Sequence, residues 1–109
     1  MGDVIEELNY TRKNGGKQDY DLTVFTLSTC GFCKRALAFL ESHGFAYRFI
    51  HLDTIAPETK RQVKETLRER FNITPIFPIL VVDGKRALTG FTEPQWRKVL
   101  KTPETTSTT

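Results

Sequence analysis

The order of apolar runs in this 109-residue chain predicts an α/β fold, with elements in the order βαβ-α-ββ-α and a mixed four-stranded sheet flanked by helices. Three observations carry that expectation. A strand pattern, a helix pattern and a second strand pattern follow one another within about thirty residues, the span of a right-handed βαβ unit with parallel strands. Further on, Asp83-Gly84 separates two more strand-like runs and marks a tight antiparallel turn. Between the first strand and the first helix stand the only two cysteines, Cys30 and Cys33, separated by two residues.

Each element follows from local chemistry. Leu22-Thr23-Val24-Phe25-Thr26-Leu27 is apolar or β-branched nearly throughout, as an interior strand covered on both faces requires. A helix is predicted from about Gly31 to His43, because Phe32, Ala36, Phe39, Leu40 and His43 recur at three- and four-residue spacing, and Gly44 supplies a left-handed cap. Phe45 to Leu52 alternates as a second strand. Pro57 suits the first turn of a second helix, where its missing N–H costs nothing. Val63, Leu67 and Phe71 then recur every four residues on one face, while Arg61, Glu65 and Arg68 on the other are spaced for ion pairs. Asn72 ends this helix, and Thr74-Pro75-Ile76-Phe77-Pro78 is barred from helix because each proline pushes its predecessor toward extended geometry.

Ile79 to Val82 and Arg86 to Thr89 form a hairpin around Asp83-Gly84, Gly90 ends it, and Thr92 caps a last helix carrying Trp96, Val99 and Leu100. Residues 1–21 lack sustained periodicity and read as a flexible lead-in, with one helical turn or a short extended piece at Val4 to Leu8. Residues 102–109, with Thr at four of the last five positions, read as a disordered tail. One domain over 22–101 remains.

Composition excludes several function classes. Sixteen Lys and Arg against thirteen Asp and Glu leave a formal charge of +3. The basic residues between Glu58 and Arg70 are interleaved with acidic ones, so this excess reads as a solvated helix face and no nucleic-acid partner is expected. The longest aliphatic run, Ile79 to Val82, is too short to cross a bilayer, and the N-terminus is acidic where a secretory signal is basic and then apolar. Position 6 is Glu where a myristoylation signal needs Ser or Thr. These features lead us to expect no membrane partner and a cytoplasmic location. His43 and His51 fall at a helix end and in a strand at spacings unlike a zinc site, so no metal is expected.

A disulfide closing so short a loop constrains the unfolded chain little, so Cys30 and Cys33 read as a redox pair and not as a structural bridge. At the start of a helix, unpaired N–H groups and the positive end of the macrodipole favour a thiolate over a thiol. Cys30 is therefore the expected nucleophile, and Cys33, one turn inside the helix, the resolving thiol. Lys34 and Arg35 either add positive potential or are plain surface cations.

From about Leu22 to Leu100 the chain resembles glutaredoxins and glutaredoxin-like redoxins of the thioredoxin superfamily. The resemblance rests on Cys30-Gly31-Phe32-Cys33 after the first strand, on Phe77-Pro78 six residues before Asp83-Gly84-Lys85, where the family has a cis-proline, and on Gly90-Phe91-Thr92 before the last helix. It implies a thioredoxin-like fold and a dithiol-disulfide oxidoreductase that reduces protein or glutathione mixed disulfides, with Cys30 and Cys33 catalytic. It further implies that a cis Phe77–Pro78 bond presents the Phe77 backbone beside the cysteines, ready to pair with a substrate backbone. Gly90, Phe91 and Thr92 would offer N–H groups to a carboxylate such as the γ-glutamyl end of glutathione, or else simply cap the helix. Phe32 is either an exposed docking contact beside Cys30 or a core residue of the helix stripe. Glutathione is expected as a co-substrate, with no tightly bound cofactor, and the chain as a monomer.

Departures from the family pattern bear on the electron source. Gly31-Phe32 replaces the common Pro-Tyr, and Leu27 stands where a lysine usually holds the glutathione carboxylate. The second departure moves the expectation toward the glutaredoxin-like donors reduced by thioredoxin reductase, leaving glutathione and thioredoxin reductase as alternative sources. Gly31 also brings a different reading, a [2Fe–2S] cluster carrier that joins two protomers through the first cysteine and glutathione. A third is a redox-inactive peptide-binding module built on the Phe77-Pro78 edge.

Overall fold

β2 (Leu22–Thr26) lies at the centre of the sheet and is buried at every residue, as its unbroken apolar and β-branched run requires. It pairs in parallel with β3 (Tyr47–His51) and antiparallel with β4 (Ile79–Val82). β5 (Arg86–Thr89) folds back on β4 through Asp83, Gly84 and Lys85; Asp83 and Gly84 both take positive φ, and the Lys85 N–H donates back to the Val82 carbonyl at 3.0 Å. Three helices complete the frame: α1 (Gly31–Ser42), α2 (Pro57–Phe71) and α3 (Glu93–Leu100). The computed structural model describes residues 4–101, so the expected tail of residues 102–109 lies outside the described residues.

The thioredoxin-like architecture is present, with one correction to the strand count. Where the sequence predicts four strands the sheet has five, in the order β1-β3-β2-β4-β5. The additional strand, β1 (Thr11–Lys13), pairs antiparallel with β3 and comes from the stretch read as a lead-in. Thr11, Arg12 and Lys13 are all exposed and carry no apolar alternation, so backbone pairing alone holds them. The neighbouring residues belong to the fold as well. Ile5 is buried, the Tyr10 hydroxyl donates to the Ile5 carbonyl at 2.7 Å, and the Tyr10 ring meets Phe25 edge-on at 6.1 Å. At Gly15 the chain passes so close to β3's approach that a Cβ would sit 2.5 Å from the Phe45 carbonyl carbon. Only glycine permits that contact.

Alternation along the strands sorts the core into two clusters. Leu22, Val24, Leu80, Val82 and Leu88 face α1 and α3, meeting Ala36, Phe39, Leu40, Trp96 and Leu100. Phe25, Ile50, Ile79 and Val81 face the other way, meeting Val63 and Leu67 of α2 together with Ile5 and Leu52. The helix boundaries follow the expected signals: α1 stops before Gly44 at φ +77, and α2 begins at Pro57 and ends at Asn72 in the left-handed region. Thr92 occupies the cap position of α3, but its side chain makes no capping bond; its carbonyl accepts from Trp96 N–H at 3.0 Å.

Candidate active site

Strand direction gathers the three sequence motifs. Because β2 and β3 are parallel and β4 runs against β2, the C-terminal ends of β2, β3 and β5 and the N-terminal end of β4 share one end of the sheet. There the loop after β2 leads to Cys30, the segment before β4 holds Phe77 and Pro78, and the turn after β5 holds Gly90, Phe91 and Thr92. Cys30 and Thr92, 62 positions apart in sequence, thus lie on neighbouring loops of one rim.

The two cysteines occupy unlike environments. Cys30 is the N-cap of α1, partly exposed, and its Sγ accepts the Cys33 backbone N–H at 3.2 Å. Its own N–H donates to the Leu27 carbonyl at 3.1 Å, which fixes the turn between strand and helix. Cys33 is 1% exposed, and the two thiols are unlinked. Burial first, and then the hydrogen bond to Cys30, push the Cys33 thiol up to about 12. An incoming disulfide can therefore reach Cys30 but not Cys33, and Cys33 stays protonated until something draws it into reaction.

A carboxylate braces this turn from the side. Ser28 donates to Asp53 twice, through its backbone N–H at 2.9 Å and through its hydroxyl, tying the β2–α1 loop to the helical turn Leu52–Thr54 that follows β3. These bonds hold the Asp53 carboxyl below the usual carboxylate range. Asp53 also bears on Cys33, since its negative charge opposes a thiolate there. No sequence pattern announces this pair, whose members lie 25 residues apart.

The remaining expected residues divide. Phe32 is 59% exposed with the Arg35 guanidinium 5.8 Å from its ring, so it is a surface residue beside Cys30. The inward stripe of α1 is Cys33, Ala36, Phe39 and Leu40, because the helix turns Cys33 rather than Phe32 toward the sheet. Pro78 is buried behind a cis Phe77–Pro78 bond, and Phe77 is half-buried against the α2-side cluster. Gly90 requires a correction: its N–H donates to the carbonyls of Ile76 at 3.0 Å and Pro78 at 2.8 Å, so it is not offered to a carboxylate ligand. The N–H groups of Phe91 and Thr92 have no acceptor among the described residues. The Phe91 ring packs edge-on against Trp96 at 5.0 Å, and Trp96 Nε1–H donates to the Gly90 carbonyl at 3.1 Å. Leu27 packs into the α2-side cluster, so no cation reaches the thiols from that position. Ile76, which the sequence reading passed over, is 55% exposed. Its signal was its place between two prolines, where no core strand can form.

The sequence profile of the family described as Glutaredoxin matches residues 22–87. Among solved structures, the glutaredoxin of Methanosarcina mazei Go1 superposes with a TM-score of 0.73 at 25% identity, covering 84% of this chain and 86% of that one. The methanoredoxin of Methanosarcina acetivorans gives a TM-score of 0.63 at 28% identity over 73% of this chain and 83% of its own. The glutaredoxin of Archaeoglobus fulgidus gives 0.65 at 25% identity over 80% and 99%. Comparison with curated protein sequences gives no match.

Proposed function

The chain belongs to the glutaredoxin family, and from that premise we propose that it is a dithiol-disulfide oxidoreductase reducing protein or glutathione mixed disulfides through Cys30 and Cys33. The observation that carries the reading is the unequal pair: an accessible sulfur at a helix start and a buried one a turn behind it. Cys30 Sγ attacks the substrate disulfide, forming a mixed disulfide and releasing one substrate thiolate. Cys33 then loses its proton and attacks Cys30 Sγ, releasing the second substrate thiol and leaving a Cys30–Cys33 disulfide. Two electrons have passed to the substrate. Burial and the interactions with the Cys30 sulfur both oppose ionisation of Cys33, and formation of the mixed disulfide removes the second of these.

Phe32 on one side and the Phe77 backbone before Pro78 on the other form the docking surface for the substrate chain, with Phe91 and Thr92 N–H groups for a carboxylate. Glutathione acts as co-substrate, and the oxidised pair returns to dithiol at the expense of glutathione or thioredoxin reductase. A reducing cytoplasm is the compartment in which such a pair works as a donor. The cluster-carrier alternative would take its four thiolates from the accessible Cys30 of two copies and from two glutathiones, and visible absorption from iron and sulfide after anaerobic purification is the measurement that tests it.

The test is NADPH-coupled disulfide reduction, run once with glutathione and its reductase and once with thioredoxin reductase. Cys30→Ser abolishes turnover in both, while Cys33→Ser keeps only reactions that an external thiol completes. Equal turnover by wild type and Cys30→Ser overturns the mechanism, and the arm that sustains wild-type turnover identifies the electron source.

A further inference from the structure

We infer that Asp53 is a positioning residue for the resolving step: by holding Ser28, its carboxylate keeps the Cys30 loop in the shape that lets Cys33 reach the mixed disulfide before an external thiol does. The inference rests on the oxidoreductase reading and assigns a control to that same site. It starts from the register of the parallel strands. β2 and β3 are aligned from Thr23 opposite Arg48 to Thr26 opposite His51, an offset of 25 residues. Side chains bond at that offset too: Arg48 Nε–H donates to Thr23 Oγ1 at 2.8 Å, and the Thr26 hydroxyl meets His51 Nδ1. Backbone pairing stops at Thr26 and His51. Ser28 and Asp53, again 25 apart, carry the register two residues further through a side chain, toward the thiols.

Asp53 is mounted firmly enough to act as an anchor. Its turn, Leu52–Thr54, is held by fully buried Leu52 and closed by the Thr54 hydroxyl, which donates to the His51 carbonyl at 2.8 Å. On the other side, the Cys30 N–H bond to the Leu27 carbonyl lies within the loop, whereas the two bonds from Ser28 tie the loop to β3's end. Cys33 attacks from a formed helix and must meet Cys30 Sγ in line with the bond that breaks. A misplacement of about 1 Å in such an arrangement costs on the order of 100-fold in rate. An external thiol approaches from solvent and carries no such constraint, so a slack loop hands the mixed disulfide to it. The carboxylate's charge acts on the same step in the opposite sense: burial first, then Cys30, and Asp53 after them oppose a thiolate at Cys33. Position and charge separate chemically. Asp53→Asn keeps an acceptor for the Ser28 N–H and offers a donor to the Ser28 hydroxyl without the charge; Asp53→Ala removes bonds and charge together.

A single turnover of the reduced protein with an aromatic disulfide whose thiolate is coloured tests this. Attack by Cys30 releases one aryl thiolate and leaves the other aryl group on Cys30. Cys33 then gives its proton to solvent and attacks Cys30 Sγ, releasing the second thiolate and closing the Cys30–Cys33 disulfide; the reagent gains two electrons and the protein loses two. We expect Asp53→Ala to lower the ratio of second-phase to first-phase rate about tenfold, and Ser28→Ala, which keeps the backbone bond, to lower it about threefold. Asp53→Asn returns the ratio to the wild-type value or above it. With an external thiol added, mass spectrometry finds less Cys30–Cys33 disulfide in Asp53→Ala than in wild type at equal thiol concentration. A wild-type ratio in Asp53→Ala overturns the role of Asp53, as does an Asp53→Asn protein that falls as far as Asp53→Ala, or a slowing of both phases alike. A wild type that stops after one thiolate, or releases none, overturns the reading of Cys30 and Cys33 as a dithiol pair instead.

Discussion

One face of the sheet is closed by two helices, the other by a single helix and a length of irregular chain. On the first face α1 and α3 bring Ala36, Phe39, Leu40, Trp96 and Leu100 onto the strands, and the aromatic rings of Phe39, Phe91 and Trp96 meet one another at 5.0–6.3 Å. On the second, α2 contributes only Val63 and Leu67 as buried residues, because the rest of its surface is charged or polar. One narrow stripe cannot cover a sheet face that takes two helices on the other side. Ile5, Tyr10 and the chain around them make up the missing cover, clamped by the Tyr10–Ile5 hydrogen bond and by the Arg48 guanidinium 4.3 Å over the Tyr10 ring. Helices seal a face cooperatively; irregular chain seals it contact by contact.

That contrast orders the expected effects of substitution. Trp96→Ala, on the two-helix face, costs about 3–5 kcal/mol and loosens the Gly90 turn that its indole N–H holds. Ile5→Ala costs about 2 kcal/mol, the low end for a buried aliphatic, since irregular chain can settle into the space left behind. Urea unfolding measures both; a negligible loss for Ile5→Ala would show that the second face closes without residues 4–20. Tyr10→Phe removes one hydroxyl and costs about 1 kcal/mol, again by urea midpoint.

An effect of a different kind, set by pH, belongs to a residue in neither cluster. Cys33 is buried at the end of the sheet with its thiol raised from 9.0 to about 12. The unfolded chain gives up this proton first, so the folded state loses stability as pH rises from about 9 to about 12. Tyr47, buried and bonded to Glu41, is also pushed up and adds to that fall. Cys33→Ser removes the Cys33 share alone, and urea titrations from about pH 8 to 11 read it as a shallower decline than wild type. Identical slopes would contradict the raised thiol.

What the sequence made legible follows the same division. Every strand and α-helix from Leu22 to Leu100 announced itself through periodicity, a proline start or a glycine stop, because helices and paired strands repeat; the short helical turn Leu52–Thr54 did not. The second face's cover did not, since Ile5 and Tyr10 are single apolar residues in a polar stretch and β1 is held by backbone bonds that any residue can make. Gly15 likewise gave no sign of its role in a polar, non-periodic stretch, and only the fold reveals the close backbone of Phe45. That the cysteines, Phe32, Phe77 and Pro78 fall on neighbouring loops at one rim was legible because a motif or a proline marked each segment. The Ser28–Asp53 brace and the occupied N–H of Gly90 were not, since both depend on chain segments meeting across the sheet.

The two outermost strands have a consequence for how copies of this chain behave in a crowd. β1 is three residues long and carries Arg12 and Lys13, and β5 is four residues long and opens on Arg86, all three cations exposed. Short margins of like charge make poor templates for another strand, because side-by-side growth would set cation against cation. Lateral aggregation is thereby discouraged.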